Sequence, residues 1–289
     1  INIEDLYLAG LGPGLVIGLI LMLYSMVIGI RGGFKTTPFS IKDLAVAIRD
    51  GIWALFLPII ILGGIYTGIF TPTEAAAVSV VYAFLVEVFI HRGLRVQDFP
   101  KIAQESTIMI GSLLIIMVLA FGLNDFLVEV QLPEKAVALI KSYNLSTVNF
   151  LLIVNVLLLL VGLVMDIFSA ILIISGLLAP IAYSLGVDPL HMGVITIVNL
   201  EIGYLTPPFG LNLFVASSLF KKGYIEVVKS TLPFVAIMIF GLMLITYVPT
   251  VSLGIVNLSK GKEFYVPFPE QRDLNKVDKG SADKATLQD

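Results

Sequence analysis

Two short runs hold the residues that could do chemistry. Met165-Asp166-Ile167-Phe168-Ser169 sets a carboxyl and a hydroxyl into a stretch that has no Lys or Arg between Lys141 and Lys221. Gly203-Tyr204-Leu205-Thr206-Pro207-Pro208-Phe209-Gly210-Leu211-Asn212 places two consecutive prolines among glycines, a threonine and an asparagine. Pro207 and Pro208 lack amide hydrogens and clash with the turn before them, so a helix that reaches them opens and leaves carbonyls unpaired. Freed carbonyls, hydroxyls and a side-chain amide form an oxygen set suited to a hard cation. A plain proline kink in a packing helix is the alternative. Asp166 equally reads as an N-cap for the helix that follows it, with Ser169 helping. The two readings of Asp166 are compatible, because a capped, wet tip is also a place for a cation. Gly162, Ser169 and Ser175 are weaker markers, since small and hydroxyl residues line any close crossing of membrane helices. Glu201, one turn before the prolines, stays open between a functional acid and a partner for local hydroxyls, and Asn199 is open in the same way.

The elements that must position these residues are apolar helices. The chain is 57% hydrophobic and 13% charged with mean hydropathy +0.98, against about a quarter charged in soluble domains. Its solvent is a lipid bilayer. An ionised aspartate at the centre of a bilayer costs about 3 kcal/mol on insertion scales, so Asp166 marks function by default. Full spans are predicted at Leu6–Ile30, Ile52–Phe70, Thr73–Ile90, Gln104–Val128 and Ser230–Pro249. Four pieces between them, Val148–Val164, Ala170–Leu185, Leu190–Gly203 and Phe209–Phe220, are shorter. At about 1.5 Å per residue they fall short of a hydrocarbon core of about 30 Å and read as hairpin arms or half-helices. Helices interrupted at membrane depth are tolerated where the freed backbone lines a cavity or binds something.

Orientation follows from the basic residues. Arg31, Lys35, Lys42 and Arg49 form one loop, Arg92, Arg95 and Lys101 a second, and Lys221, Lys222 and Lys229 a third, and all three are predicted to face the cytoplasm. The turn at Thr71-Pro72 and both chain ends then lie outside. Two spans or one re-entrant hairpin across 148–185 give the same parity. The turn at Met165–Ser169 has no basic residue, which favours a tip that stops inside the membrane.

Thr71-Pro72-Thr73-Glu74 has a structural reading: Thr71 as N-cap, Pro72 at the first helical position and Glu74 at the third make a capping box. Other classes fall away. The chain has no cysteine and two histidines, so disulfides, thiolate metal sites and a conventional zinc site are excluded. Its basic residues sit in short loops and form no nucleic-acid patch. A phosphate-binding loop ending in Lys-Ser or Lys-Thr is missing, so ATP use is not expected. Asp166 is the only aspartate within residues 148–185, which leaves no pair there for an intramembrane aspartyl protease; no enzymatic activity is expected. A non-transporting scaffold subunit accounts for apolar helices but not for paired interruptions.

Gly68-Ile69-Phe70-Thr71-Pro72-Thr73-Glu74-Ala75-Ala76-Ala77 and Asn199 through Phe214 together resemble the large membrane subunit of the tripartite ATP-independent periplasmic (TRAP) transporters. The likeness runs from about Leu6 to Pro249. It implies an all-α polytopic membrane protein with an ion-transporter-like elevator fold, of which this chain holds one inverted repeat with a re-entrant hairpin and a Pro-broken helix. By motif, the hairpin tip is Gly162–Ser169 and the helix opens at Leu205–Asn212. Residues 1–103 are then scaffold and arm helices. Residues 104–258 form the moving part, with the hairpin at 148–185 and the broken helix at 190–220, and 259–289 is a polar, disordered tail.

The resemblance further implies sodium-coupled import of an organic acid across a bacterial inner membrane. The substrate is delivered by a periplasmic binding protein, and a small membrane subunit completes the complex. The family's large subunit carries two repeats and the resemblance matches this chain to the later one, so the N-terminal repeat is expected as a partner, from a longer or split subunit or lost by truncation. The expected site is Gly162, Asp166, Ser169, Gly203, Leu205, Thr206, Pro207, Pro208, Gly210 and Asn212. Sodium would take carbonyls near Gly162 and Leu205 and the side-chain oxygens of Asp166, Ser169, Thr206 and Asn212. Bound sodium would neutralise the tips and let a substrate carboxylate share the cavity. Another ion-coupled anion or citrate-type carrier is the runner-up. The carboxylates that the resemblance implies include C4-dicarboxylates and sialic acid.

Overall fold

Polar residues at chain turns decide where five of the helices start. Asn2, Ser40, Thr71, Ser146 and Asp188 each accept a backbone amide from the first turn that follows them, satisfying donors that helix geometry leaves orphaned. A computed structural model of the chain describes residues 2–33, 39–131, 135, 138, 146–165, 167–208 and 210–269. The helices are α1 (Ile3–Arg31), α2 (Ile41–Tyr66), α3 (Pro72–Leu85), α4 (Phe99–Glu129), α5 (Thr147–Val164), α6 (Ile167–Ser184), α7 (Pro189–Tyr204), α8 (Leu211–Phe220), α9 (Tyr224–Tyr247) and α10 (Thr250–Ser259). A π-helical turn, Val86–Ile90, continues α3, and a short 3-10 turn, Val96–Asp98, precedes α4. No strand occurs among the described residues. Seven helical stretches among them are long and apolar enough to cross a membrane, and they include α5 and α6, the two arms expected from the sequence to stop short of a full span. The chain is an all-α, multi-pass membrane protein.

The helices fall into two compact units, one holding residues 5–26 and 113–269 and the other residues 2–4 and 27–112. In the second unit α2 packs on α3. Tyr82 Oη donates to the Trp53 carbonyl at 2.7 Å, and the rings of Phe84 and Phe99 meet edge to face at 5.4 Å. Thr71 and Glu74 close a reciprocal box here: the Glu74 amide donates to Thr71 Oγ1 at 3.3 Å and the Thr71 amide donates to Glu74 Oε2 at 2.8 Å. The box starts α3.

The first unit is built around the hairpin. Phe150, Leu151, Val154 and Leu158 of α5 pack with Leu178, Ile181 and Ala182 of α6 and with Met192, Ile195 and Leu200 of α7. The open end of the hairpin is tied where Thr147 Oγ1 donates to the Leu185 carbonyl at 3.2 Å. A second cluster joins Ala9 of α1, Val194 of α7, Ile245 of α9 and Val256 of α10. Each hairpin arm is 18 residues, about 27 Å at 1.5 Å per residue.

Part of the tail departs from the expectation of disorder. Thr250 Oγ1 both accepts from the Val266 amide and donates to the Val266 carbonyl, each at 3.0 Å. Gly254 leaves room for the Phe264 ring, and Phe268 packs beside Tyr247 on the hairpin cluster. Two ring contacts and the pairing of Thr250 with the Val266 main chain hold this stretch against α9 and α10. Residues 270–289 lie outside the described residues.

Candidate functional site

The two interruptions meet at a pair of glycines. A Cβ on Gly203 would lie 2.7 Å from the Gly162 Cα and carbonyl carbon, and a Cβ on Gly162 would lie 2.9 Å from the Leu200 carbonyl oxygen. Only hydrogen at both positions lets α5 and α7 approach this closely, as in other small-residue crossings of membrane helices. Next to the crossing, the Ile167 amide at the start of α6 donates to Tyr204 Oη at 2.6 Å. The hairpin tip is thereby bonded to the last residue of α7. Gly162 and Ser169 are buried on the hairpin side and Gly203 on the other. Asp166 lies outside the described residues.

The diproline determines how α7 ends. Pro207 and Pro208 cannot donate to the preceding turn, and the chain tightens: the Leu205 amide turns to the Ile202 carbonyl at 3.0 Å and the Thr206 amide to that of Gly203 at 2.9 Å. Thr206 Oγ1 also donates to the Ile202 carbonyl, at 2.8 Å. The donation uses the hydroxyl hydrogen and leaves oxygen lone pairs for a ligand. The chain then doubles back, with the Gly210 amide donating to the Thr206 carbonyl at 3.1 Å. A Cβ on Gly210 would sit 2.6 Å from the Tyr204 carbonyl oxygen and 2.9 Å from that of Thr206. Two main-chain oxygens therefore converge beside a position that tolerates no side chain. Leu205, Thr206 and Pro207 are partly exposed and Pro208 is exposed. Asn212, in the first turn of α8, donates to Glu201 Oε1 at 3.3 Å, so Glu201 partners the amide across the break.

Behind the break runs a buried polar chain. Asn199 Nδ2 donates to Asn155 Oδ1 at 2.7 Å and to the Ile195 carbonyl at 2.8 Å. Asn155 Nδ2 donates to Thr246 Oγ1 at 3.1 Å, and His191 lies between the Thr246 carbonyl (3.1 Å from Nε2) and Ser252 Oγ (3.2 Å from Nδ1). Asn155, Asn199, Thr246 and Ser252 are fully buried. Among the described residues Asn199 Oδ1 is the buried side-chain atom left without a partner. The chain links α5, α7, α9 and α10.

A broken helix, a hairpin tip docked on it and converging carbonyls make a pattern of cation and anion binding. Residues 1–251 match the model of the family described as the tripartite ATP-independent periplasmic transporter, DctM component. The chain belongs to this family. A TRAP permease is a transport component, not an enzyme. The chain is 39% identical over 257 residues to the C4-dicarboxylate TRAP transporter large permease protein DctM of Pseudomonas aeruginosa, covering 89% of this chain and 60% of that protein. It is 38% identical over 258 residues to the protein of the same description from Rhodobacter capsulatus, covering 89% of this chain and 59% of the relative. Against the isethionate TRAP transporter permease protein DctMQ of Oleidesulfovibrio alaskensis it is 36% identical, over 87% of this chain and 40% of the other. The chain thus spans about three-fifths or less of these relatives.

Within this chain the expected residues divide. Gly162, Gly203, Leu205, Thr206, Pro207, Pro208, Gly210 and Asn212 lie at or beside the crossing and the break, whereas Thr71 and Glu74 serve the α3 terminus in the other unit. Tyr204, Asn155 and Thr246 are not singled out by the sequence reading. Asn155, an amide in the middle of the apolar run of α5, was the available signal, because polar groups inside membranes are costly.

Proposed function

We propose that this chain is the permease part of a sodium-coupled secondary transporter that imports an organic acid delivered by a periplasmic binding protein. The observation that carries the reading is the Gly162–Gly203 crossing with the Ile167 to Tyr204 bond beside it, which joins two interrupted elements at one point. Sodium is the cargo ion. It would use the carbonyl oxygens beside Gly210, the hydroxyl oxygens of Thr206 and Ser169, the Asn212 side-chain oxygen and the Asp166 carboxylate. The carboxylate of the substrate would sit alongside, drawn by the cation and by the amide end of α8. In a low-dielectric site a lone charge is costly, and a cation and an anion bound together offset that cost. Binding of both therefore favours the closed, mobile state, which couples the ion gradient to uptake.

The permease acts in a bacterial inner membrane with a small membrane subunit, and the N-terminal repeat of the large subunit completes the site. Residues 104–258 carry the moving part of an elevator. The relatives named for C4-dicarboxylates support a small dicarboxylate as the first substrate to test. In a transporter reconstituted with this chain and its companion subunits, Thr206→Ala and Asp166→Ala should each raise half-saturating sodium about tenfold or more, the effect of losing one oxygen partner of a charge. Sodium dependence left unchanged in both variants removes these residues from the role.

A further inference from the structure

The turn that opens at the prolines is gripped from outside by one residue of the next helix. Tyr224, the first residue of α9, donates its hydroxyl to the Pro208 carbonyl at 2.7 Å. Its ring stacks on Phe214 of α8, with centroids 4.4 Å apart and planes 20° from parallel. One side chain therefore holds the chain on both sides of Gly210. The rest of α8 is loosely kept: among its described side chains Leu213 is the fully buried one, while Phe214, Val215, Leu219 and Phe220 are exposed. The loop that brings Tyr224 into place is itself tied, because Ser217 Oγ donates to the Lys222 carbonyl at 2.6 Å and Lys221 caps α8 in the left-handed conformation.

We propose that Tyr224 is a positioning residue for the opened turn. The ring fixes the direction of α8 and the hydroxyl fixes the Pro208 peptide, so the carbonyls from Tyr204 to Pro208 are arranged before a ligand arrives. A carbonyl left free at an exposed proline turn must be ordered at the moment of binding, and that ordering weakens affinity. The effect falls on ligand half-saturation and leaves the maximal rate, which reflects movement of the loaded permease, largely as it was. The inference rests on the reading that this turn binds the coupling cation and the adjoining anion.

The test is Tyr224→Phe, which keeps the stacked ring and deletes the donor, in the reconstituted transporter with radiolabelled succinate as probe. Half-saturating sodium should rise about three- to tenfold, the range for one hydrogen bond, with the maximal rate within about twofold of wild type. Phe214→Leu, which keeps the hydroxyl but removes the surface that aims it, should move half-saturation in the same direction. Unchanged half-saturation in both variants, or a fall in maximal rate alone, overturns the proposal. If wild-type uptake ignores sodium, the cation reading of the previous section fails. Tyr224 is then judged on half-saturating succinate in the same assay: a three- to tenfold rise sustains its role, and an unchanged value removes it.

Discussion

At the scale of single residues, the buried amides separate two kinds of polar group. Asn155 has no role at the opened turn, yet it is fully buried and bonded to both Asn199 and Thr246. A hydrogen bond between membrane helices contributes only about 0.6 kcal/mol on average, but leaving its former partners unpaired costs about 1–3 kcal/mol. Asn155→Leu should therefore lower the thermal unfolding midpoint of the detergent-solubilised protein. Equal midpoints for Leu and wild type would show that the chain of amides is not a structural tie. Thr206 differs in kind. Its oxygen keeps capacity beyond the bond to Ile202, and its removal should register in sodium activation more than in the melting curve.

At the scale of elements, the hairpin and the broken helix behave as one assembly because glycine faces glycine. The Cβ of Gly203→Ala would meet backbone atoms of Gly162 at 2.7 Å, and backbone cannot rotate away as a flexible side chain does. The helices must part, at about 1–3 kcal/mol for an overpacked contact. Parting them also stretches the Ile167 to Tyr204 bond. Gly203→Ala should thus lower both stability and transport. Gly18→Ala in α1, where nothing lies within 4 Å of the added methyl, should change neither. A melting midpoint and uptake rate for Gly203→Ala equal to those of Gly18→Ala would show that the crossing is loose.

At the scale of the whole molecule, membrane orientation is the property to test. The basic loops predict that residues around 31–49, 92–101 and 221–229 face the cytoplasm. The chain has no cysteine, so single cysteines at Gly223 and at Ile69, both exposed, report sidedness cleanly with a membrane-impermeant maleimide. Ile69→Cys should label in intact cells stripped of their outer membrane, and Gly223→Cys only after the inner membrane is opened. The reverse pattern would invert the topology and place the tyrosine grip of Tyr224 on the outer side.

Composition and proline chemistry alone determined the solvent, the helical class, the capping box at Thr71 and the points where helices had to stop, because these follow from local backbone rules and from the cost of charge in lipid. The short lengths of α7 and α8 were legible for the same reason. Contacts across the chain were not. That Gly162 meets Gly203, that Tyr204 bonds the hairpin, that Asn199 answers to Asn155 and that Tyr224 reaches back to Pro208 depend on which helix faces lie against each other. A hydrophobic run that is apolar all round carries almost no directional signal for that choice. Close packing decided it, by admitting the pairs whose small residues and hydrogen-bonding groups fit.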